Sequence, residues 1–418
     1  MNDKKLIEHI QKTAFDFFMH ETNFNESELG YGLTVDHTEK KDVASIASVG
    51  FTLSAYVVGV KYHYVGEDEA IQKIIKTLTT LRDHVSHYRG FFAHFIDIHT
   101  AKRLGHCEYS TIDTALALNG IITVDAFFQN ETIHRLSKDI IERIDFKMLI
   151  HTHEGKKRLY MAYNPDKDGD YVHSRPGFIH HWGMFAEQLM MYVMIAGLNE
   201  DKNESIALYQ GFDRIYKSYQ GHRYIITPGN SLFVYQFPLA WLNLEDVYDS
   251  DGINWFDNAK KATYGHRAFC MRHQKTFKTF SKTSFGLTAG YTPSGYYVAN
   301  ALPNMLGKYY TNGTISPSAM VGSLVFAKKI TMPAIKAISK KPELWGKYGL
   351  VGSYNYEQGT WVSKRDYALD KGLELLMANA YLTKDVMNAY MNHNIIQTGM
   401  EVLGWQKHIK KSSTKSTL

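Results

Sequence analysis

An all-α fold follows from three features of the 418-residue sequence. Apolar stripes at helical spacing recur along the chain, alternating strand patterns are few and short, and no Pro-, Ser- or Gly-rich linker divides it. The opening MNDKKLIEHIQKTAFDFFMHE reads as an amphipathic helix over 4–20, without the unbroken apolar run and cleavage site of a leader. Further helical stretches cover roughly 43–64, 108–128, 132–149, 181–197, 252–280, 316–340 and 366–396. In DEAIQKIIKTLTTLRDHV, Ile71, Ile74, Ile75, Leu78 and Leu81 fall on one face. In SIALYQGFDRIYKSYQ, Leu208, Phe212, Ile215, Tyr216 and Tyr219 form a second stripe. Strand alternation is confined to short pieces such as RYIITP and SGYYVA.

The helices show no fixed-period repeat, which disfavours a solenoid. Paired helices closed into a ring, a single (α/α)6 barrel or toroid, fit their number, and so does an irregular helical bundle. The expected organisation is one domain over 1–405 with a polar, basic tail over 406–418. No run of about 18 apolar residues suggests a membrane span, and a cytoplasmic location is expected.

Composition narrows the function classes. Hydrophobic residues make up 44%, enough for a sizeable core. A net charge of +5, spread along the chain, does not point to nucleic acid. Aromatics reach 13%, and Tyr and Trp join an apolar face to a polar edge, which suits stacking on sugar rings as well as core packing. Cys107 and Cys270 have no metal or redox spacing and are expected to be free, buried thiols. DKDGD, Asp166 to Asp170, lacks the spacing and the bidentate Glu of a calcium loop and reads as an acidic turn. The histidines of HFIDIH, HTH and HHW lack zinc spacing, and phosphate, dinucleotide and nucleophile-elbow motifs are missing. No metal and no cofactor are therefore expected.

Three carboxylates stand out. Asp113, in HCEYSTIDTALALNG, opens an apolar helix with Ser110 three residues earlier, which approximates a capping box. The helix dipole there keeps a carboxylate ionised and suited to accepting a proton or a sugar hydroxyl. Glu108 precedes it at the same mouth. Glu187, in HHWGMFAEQLMMYVMIAG, is the one charge between His181 and Glu200, where burial would raise its pKa toward that of a general acid working near neutrality. Asp370 opens the helix of RDYALDKGLELLMANAY, with Gly372 allowing a close approach two residues on, but it reads equally as an ordinary first-turn acid and does not stand out by itself.

With these residues in view, the chain resembles the glycoamylase-like family of (α/α)6-barrel glycoside hydrolases, which includes bacterial endo-β-1,2-glucanases, and is similar to the transglycosylase region of cyclic β-1,2-glucan synthases. The resemblance rests on collinear segments from about Phe15 to Trp405: SIASVGFTLSA, GFFAHFID, EYSTIDTALALNG, HHWGMFAEQLMMYVMIAG, LFVYQFPLAWLNL, AKKATYGHRAFC, FGLTAGYTPSGY, NGTISPSAMVGSLVFAK, WGKYGLVGSYN and ALDKGLELLMANAY. It implies a saccharide substrate, with Glu187, Asp370 and Asp113 catalytic. It further implies substrate contacts at Glu108, His94, Trp182, Tyr235, Gln236, Arg267, Phe285, Tyr296, Asn312, Trp361 and Lys371. Trp182, Tyr235, Phe285, Tyr296 and Trp361 would include the stacking platforms. The chain departs from the family's pattern at Asn312 (Asp), Phe285 (Trp), Tyr235 (His), Asn243 (Asp), Lys371 (Gln) and Asn379 (Glu). The implied activity is hydrolysis of a β-linked glucan, endo-acting and inverting. A retaining transglycosylase and an impaired glycan-binding protein are the alternatives.

Overall fold

Residues 46–59 are buried without interruption, and so are residues 113–125. Helices apolar on every side must lie inside a protein, whereas helices with one apolar stripe coat it. In the computed structural model, which describes residues 2–167, 175–298, 300 and 311–407, the two kinds alternate along the chain. α1 (Asp3–His20) is followed by α2 (Ile46–Lys61), α3 (Glu67–Asp83) by α4 (Thr111–Phe128), and α5 (Glu131–Glu142) by α6 (Leu189–Leu198). Then come α7 (Lys202–Gln210) and α8 (Leu232–Gln236), α9 (Trp255–Arg272) and α10 (Pro317–Val321), α11 (Leu324–Ile338) and α12 (Ala368–Leu382). α13 (Asp385–Asn392) and α14 (Asn394–Val402) close the series. The even-numbered helices through α12 are enclosed, and the odd-numbered ones through α11 bury one side. One apolar core runs from Leu6 to Trp405.

The enclosed helices approach closely because small residues face each other. A Cβ on Gly50 of α2 would lie 2.0 Å from the Leu116 carbonyl of α4, and one on Gly120 would lie 2.2 Å from that of Gly50. Gly372 of α12 receives the Phe51 ring, only 2.2 Å from where its Cβ would stand. Further round, α8 is tied to α10 by Gln236, whose Nε2 donates to the Ala319 carbonyl and to Ser323 Oγ, each at 2.7 Å. By length and composition α4 could cross a membrane, but 83% of it is buried against the rest of the chain.

Several stretches differ from the sequence expectation, among them the helix expected over 252–280, which ends at Arg272. The helix expected through 205–220 stops at Gln210, because Gly211 abuts the Lys157 carbonyl. Tyr216–Tyr219 then pairs with His222–Ile225 as a hairpin. The connection between α5 and α6 carries a sheet that periodicity did not reveal: Lys156–Tyr163 pairs with Tyr109–Ser110, Ile150–His153 and Phe178–His181. At the C-terminus, Gln406 and Lys407 are not tail but pair with Tyr248 and Val247. Residues 408–418 and part of DKDGD lie outside the described residues.

The enclosed helices share a direction, and the segments leading into them are stitched together at one end. The Ile46 amide of α2 donates to the His94 carbonyl (3.1 Å), and the His94 amide to Glu108, just before α4 (2.9 Å). The Ala368 amide of α12 donates to the Asp36 carbonyl (2.9 Å), Leu232 of α8 to Leu287 (3.1 Å), and Ser316 before α10 to Gly286 (3.3 Å).

Candidate active site

The acids gather at that stitched end, where the helix N-termini favour negative charge. The cap of α4 is Ser110, whose Oγ accepts the Asp113 amide (3.3 Å), while its hydroxyl donates to Asp113 Oδ2 (2.5 Å) and leaves the Asp113 carboxylate free of backbone capping. Its other oxygen stands 3.6 Å from His94 Nε2, while His94 Nδ1 is 2.8 Å from Glu108 Oε1. Burial alone would lower His94, but Asp113, Glu108 and Asp36 outweigh it and push the ring up to about 9. His94 is thus an imidazolium at neutral pH, and its hydrogen bond holds Glu108 below the usual carboxylate range.

Glu187 lies in the turn that precedes α6, two residues before Leu189, and not within the helix that its apolar neighbours suggested. The chain there is held by the Trp182 amide on the Leu159 carbonyl (2.9 Å) and the Phe185 amide on Asp213 (3.0 Å). Although some of its surface remains accessible, Glu187 is surrounded by protein. Loss of hydration pushes it up to about 7; its own backbone amide opposes this, and the nearby charge of Asp113 adds to it.

Asp370 sits in the first turn of α12 and accepts the Ser318 hydroxyl of α10 at 2.7 Å. Burial raises it to about 6, opposed by the Ser318 bond and by the ammonium of Lys371. Beside it a cavity of about 60 Å³ is walled by Tyr296, Tyr367, Phe233 and Phe237. Tyr296, on a hairpin, is 56% exposed and 5.7 Å from the Tyr367 ring, so it can offer a face to a ligand. Trp361 is half-buried, 6.2 Å from Tyr291.

The other expected contacts fall differently. Trp182 is buried, with Nε1 donating to Thr111 Oγ1 (3.1 Å). Tyr235 is buried with its hydroxyl on Asn230 (2.7 Å), and Phe285 is fully enclosed. These three rings are core, and none presents a free face for stacking. Gln236 is also core, joining α8 to α10, and Lys371 is fully buried on Glu374. Arg267 Nε donates to the Lys282 carbonyl at 3.0 Å, and Asn312 Oδ1 accepts the Thr314 amide at 3.2 Å. Cys270 is buried, whereas Cys107 is only half-buried, with Sγ on the Phe95 carbonyl at 3.3 Å.

Asp36 is the residue that sequence reasoning missed. Burial raises it to about 6; His94 opposes the rise and Asp113 adds to it. Its charge is also felt at Asp370 and at His94, so it bridges the two sides of the acid cluster. The available signal was an acid in GLTVDH, next to Leu33 and Val35, which are both buried.

Two of the neutral departures are far from this end. Asn379 lies nine residues beyond Asp370, about 13 Å along the helix axis. Its Nδ2 donates to Thr383 and Asp385, and its Oδ1 accepts the Val386 amide. Asn243 lines a separate cavity of about 200 Å³ with Ala380 and Lys384.

The fold is shared with solved proteins of the α/α-toroid type. The glycoamylase family model, that of a glucoamylase, matches residues 179–394, just over half the chain. The chain belongs to the glycoamylase family. It is similar to the exo β-1,2-glucooligosaccharide sophorohydrolase (non-reducing end) of Parabacteroides distasonis, 20% identical over 96% of this chain. It spans 58% of the length of that curated relative. Among solved structures, the endo-β-1,2-glucanase of Chitinophaga pinensis, in complex with sophorotriose and glucose, superposes with a TM-score of 0.82 at 18% identity, covering 97% of this chain and 99% of its own. A mutant endo-β-1,2-glucanase of Talaromyces funiculosus with bound β-1,2-glucan gives 0.68 at 13% identity, covering 96% and 91%.

Proposed function

We propose that the chain is a glycoside hydrolase that cleaves β-1,2-linked glucan internally and with inversion, on a single (α/α)6 barrel formed by its six helix pairs. The observation that carries this reading is a difference between two acids in one cluster. Glu187, enclosed beside the negative Asp113, is pushed toward its protonated form, whereas Asp370 accepts the Ser318 hydroxyl and feels the Lys371 ammonium, both of which favour its carboxylate. Two titratable groups whose environments push them apart are what acid and base roles require. Glu187 gives its proton to the leaving glycosidic oxygen, directly or through a sugar hydroxyl, as the bond to the anomeric carbon breaks. Water adds to that carbon and passes its proton to Asp370. Asp113, fixed by Ser110 and facing His94, keeps negative charge near Glu187 and so favours its protonated form. Tyr296 supplies a ring face for the sugar beside Asp370.

The names of the relatives support the linkage, since both exo and endo enzymes among them act on β-1,2-glucan or its oligosaccharides. The position of Asn243 and Asn379 at the other end takes two of the three substitutions, all but Asn312, out of the argument for an impaired protein. The test is to incubate the protein with β-1,2-, β-1,3- and β-1,4-glucans, follow new reducing ends, and record the anomer of the first product by NMR. Release from β-1,2-glucan as the α-anomer is expected. No release from it, or a β-anomer, would overturn the substrate or the inverting step, respectively.

A further inference from the structure

Arg158 lies on the strand Lys156–Tyr163 and is only 5% exposed. Its Nη1 donates to the Gly183 carbonyl at 3.0 Å and stands 3.4 Å from His181 Nε2, while its Nη2 donates to Asp213 Oδ2 at 3.4 Å. Burying a guanidinium is unfavourable unless its donors are engaged. The contact with Asp213 is longer than a charge-assisted hydrogen bond usually is, and a buried ion pair is in any case weak evidence for stability. What the guanidinium grips is a segment of chain.

That segment carries Glu187. The Gly183 carbonyl also accepts the Asp213 amide (2.8 Å), and the Phe185 amide donates to the Asp213 carbonyl (3.0 Å), so 183–185 runs parallel to Asp213 and is fixed to it twice. Gln188 Nε2 closes the turn on the Met184 carbonyl at 2.8 Å, and Leu189 begins α6. Glu187 sits between these ties. Arg158 holds two of the parties at once, the Gly183 carbonyl and the Asp213 side chain, which suits the planar fork of an Arg and not the single ammonium of a Lys. The fit is close: a Cβ on Gly183 would lie 2.5 Å from Arg158 Nη1 and 3.1 Å from His181 Nε2. Lys156, on the same strand, takes the other oxygen of Asp213 at 2.6 Å.

We propose that Arg158 is a positioning residue: its buried guanidinium ties Gly183 to Asp213 and so holds the turn that places the Glu187 carboxyl, without touching the sugar. The inference rests on Glu187 being the general acid. A misplacement of about 1 Å can cost about 10²-fold in rate. A loosened turn also admits water to the carboxyl, and hydration favours its ionised form, so the acid would lose its proton at lower pH. The charges in play are Asp113, which acts on Glu187, and Asp213, Lys156 and His181 around the guanidinium. Loss of a cation would by itself act in the opposite sense, since positive charge favours a carboxylate. The sign of the shift therefore separates position from charge.

The test is kcat, KM and the pH profile for β-1,2-glucan in Arg158→Met. We expect kcat to fall by about 10- to 100-fold with KM little changed, and the alkaline limb to move down by about one pH unit. Gly183→Ala keeps every charge but sets a methyl against Nη1; it should give a smaller change of the same sign, and it decides the matter if Arg158→Met does not melt cooperatively. A folded variant with the wild type's kcat and limb overturns the proposal. So does a limb that moves up, which makes the effect one of charge, or a lower kcat at an unmoved limb, which is general loosening. A raised KM with kcat unchanged overturns it too, by making the turn a substrate contact. The ¹³C shift of the Glu187 carboxyl, followed against pH in wild type and Gly183→Ala, reads the same placement without substrate, and an unchanged midpoint overturns the proposal. Glu187→Gln separates the two readings. If it is as active as wild type, the acid assignment falls and this inference with it; if it is inactive while the Arg158 and Gly183 variants behave as wild type, this inference alone falls.

Discussion

The two ends of the enclosed helices are built from similar residue types and do different things. The larger cavity, about 720 Å³, lies at the far end, where Lys61, Asp125, Asn130, His134, Asn388 and His393 line it. There Asp125 accepts from His134 Nδ1 and from His393 Nε2, each at 3.1 Å, so the acid holds α4 to α5 and to the start of α14. At the near end the cavity beside Asp370 is about 60 Å³, yet burial raises Asp36, Glu187 and Asp370 there, Asp113 adds to the rise at Asp36 and Glu187, and the cations His94 and Lys371 oppose it at Asp36 and Asp370 respectively. The size of a cavity does not reveal chemistry. What does is a group of acids that cannot all be satisfied by neutral partners, placed where helix N-termini tolerate their charge.

The sharpest way to break this comparison is to remove one acid at each end. Glu187→Gln keeps shape and hydrogen bonding but has no proton to give, so kcat should fall by about 10²–10⁴-fold with Tm unchanged. Asp125→Asn should leave kcat close to wild type and lower stability by about 1–2 kcal/mol in urea titration, because a carboxylate bridging two histidines is lost. Equal losses of activity in the two variants would erase the distinction between the ends.

The pH dependence is the next largest effect. Asp370 must be ionised and is raised to about 6, so kcat/KM falls as pH drops through 6; Glu187 must be protonated and stands at about 7, so it falls again above 7. A narrow bell with limbs near 6 and 7 is expected. If Glu187→Gln lowers the rate without removing the alkaline limb, that limb belongs to another group.

Stability should carry a separate signature from His94. Its folded value, about 9, is above the unfolded value of about 6.5, so its contribution is fully present below 6.5 and is lost as pH rises toward 9. In a series of Tm measurements the wild type should therefore lose more than His94→Gln does between pH 6.5 and 9. Parallel curves would show that the contacts with Glu108 and Asp113 do not stabilise the fold.

The smallest effect on activity is expected at Asn379→Glu, which restores the family's residue at the far end. kcat/KM should not change, while stability falls by about 1–3 kcal/mol because the new carboxylate faces Asp385 and loses the donors that Asn379 supplies. A gain in activity would mean that the far end communicates with the acids.

Local sequence was enough for the helical class and drew attention to Glu108, Asp113 and Glu187, because an acid at the mouth of or inside an apolar run stands out from its neighbours; Asp370 entered only through the family resemblance. It was also enough for the amphipathic helices, whose stripes record which side is buried. It could not orient the wholly apolar ones. The resemblance offered Trp182, Tyr235 and Phe285 as platforms, and they are core: Trp182 and Phe285 lie in loops and Tyr235 on the short α8, where no stripe says which way a ring points. Nor could periodicity end a helix at Gly211 or keep Glu187 in a turn, since those outcomes depend on the Lys157 carbonyl and on the bonds of the Trp182 and Phe185 amides to Leu159 and Asp213. Asp36 joined the acids only because the first turn of α12 bonds to its carbonyl from the other end of the chain. Residue types and spacing determined which groups could ionise, and tertiary structure decided which of them were desolvated together, because burial and the charge of a neighbour are properties of position in space.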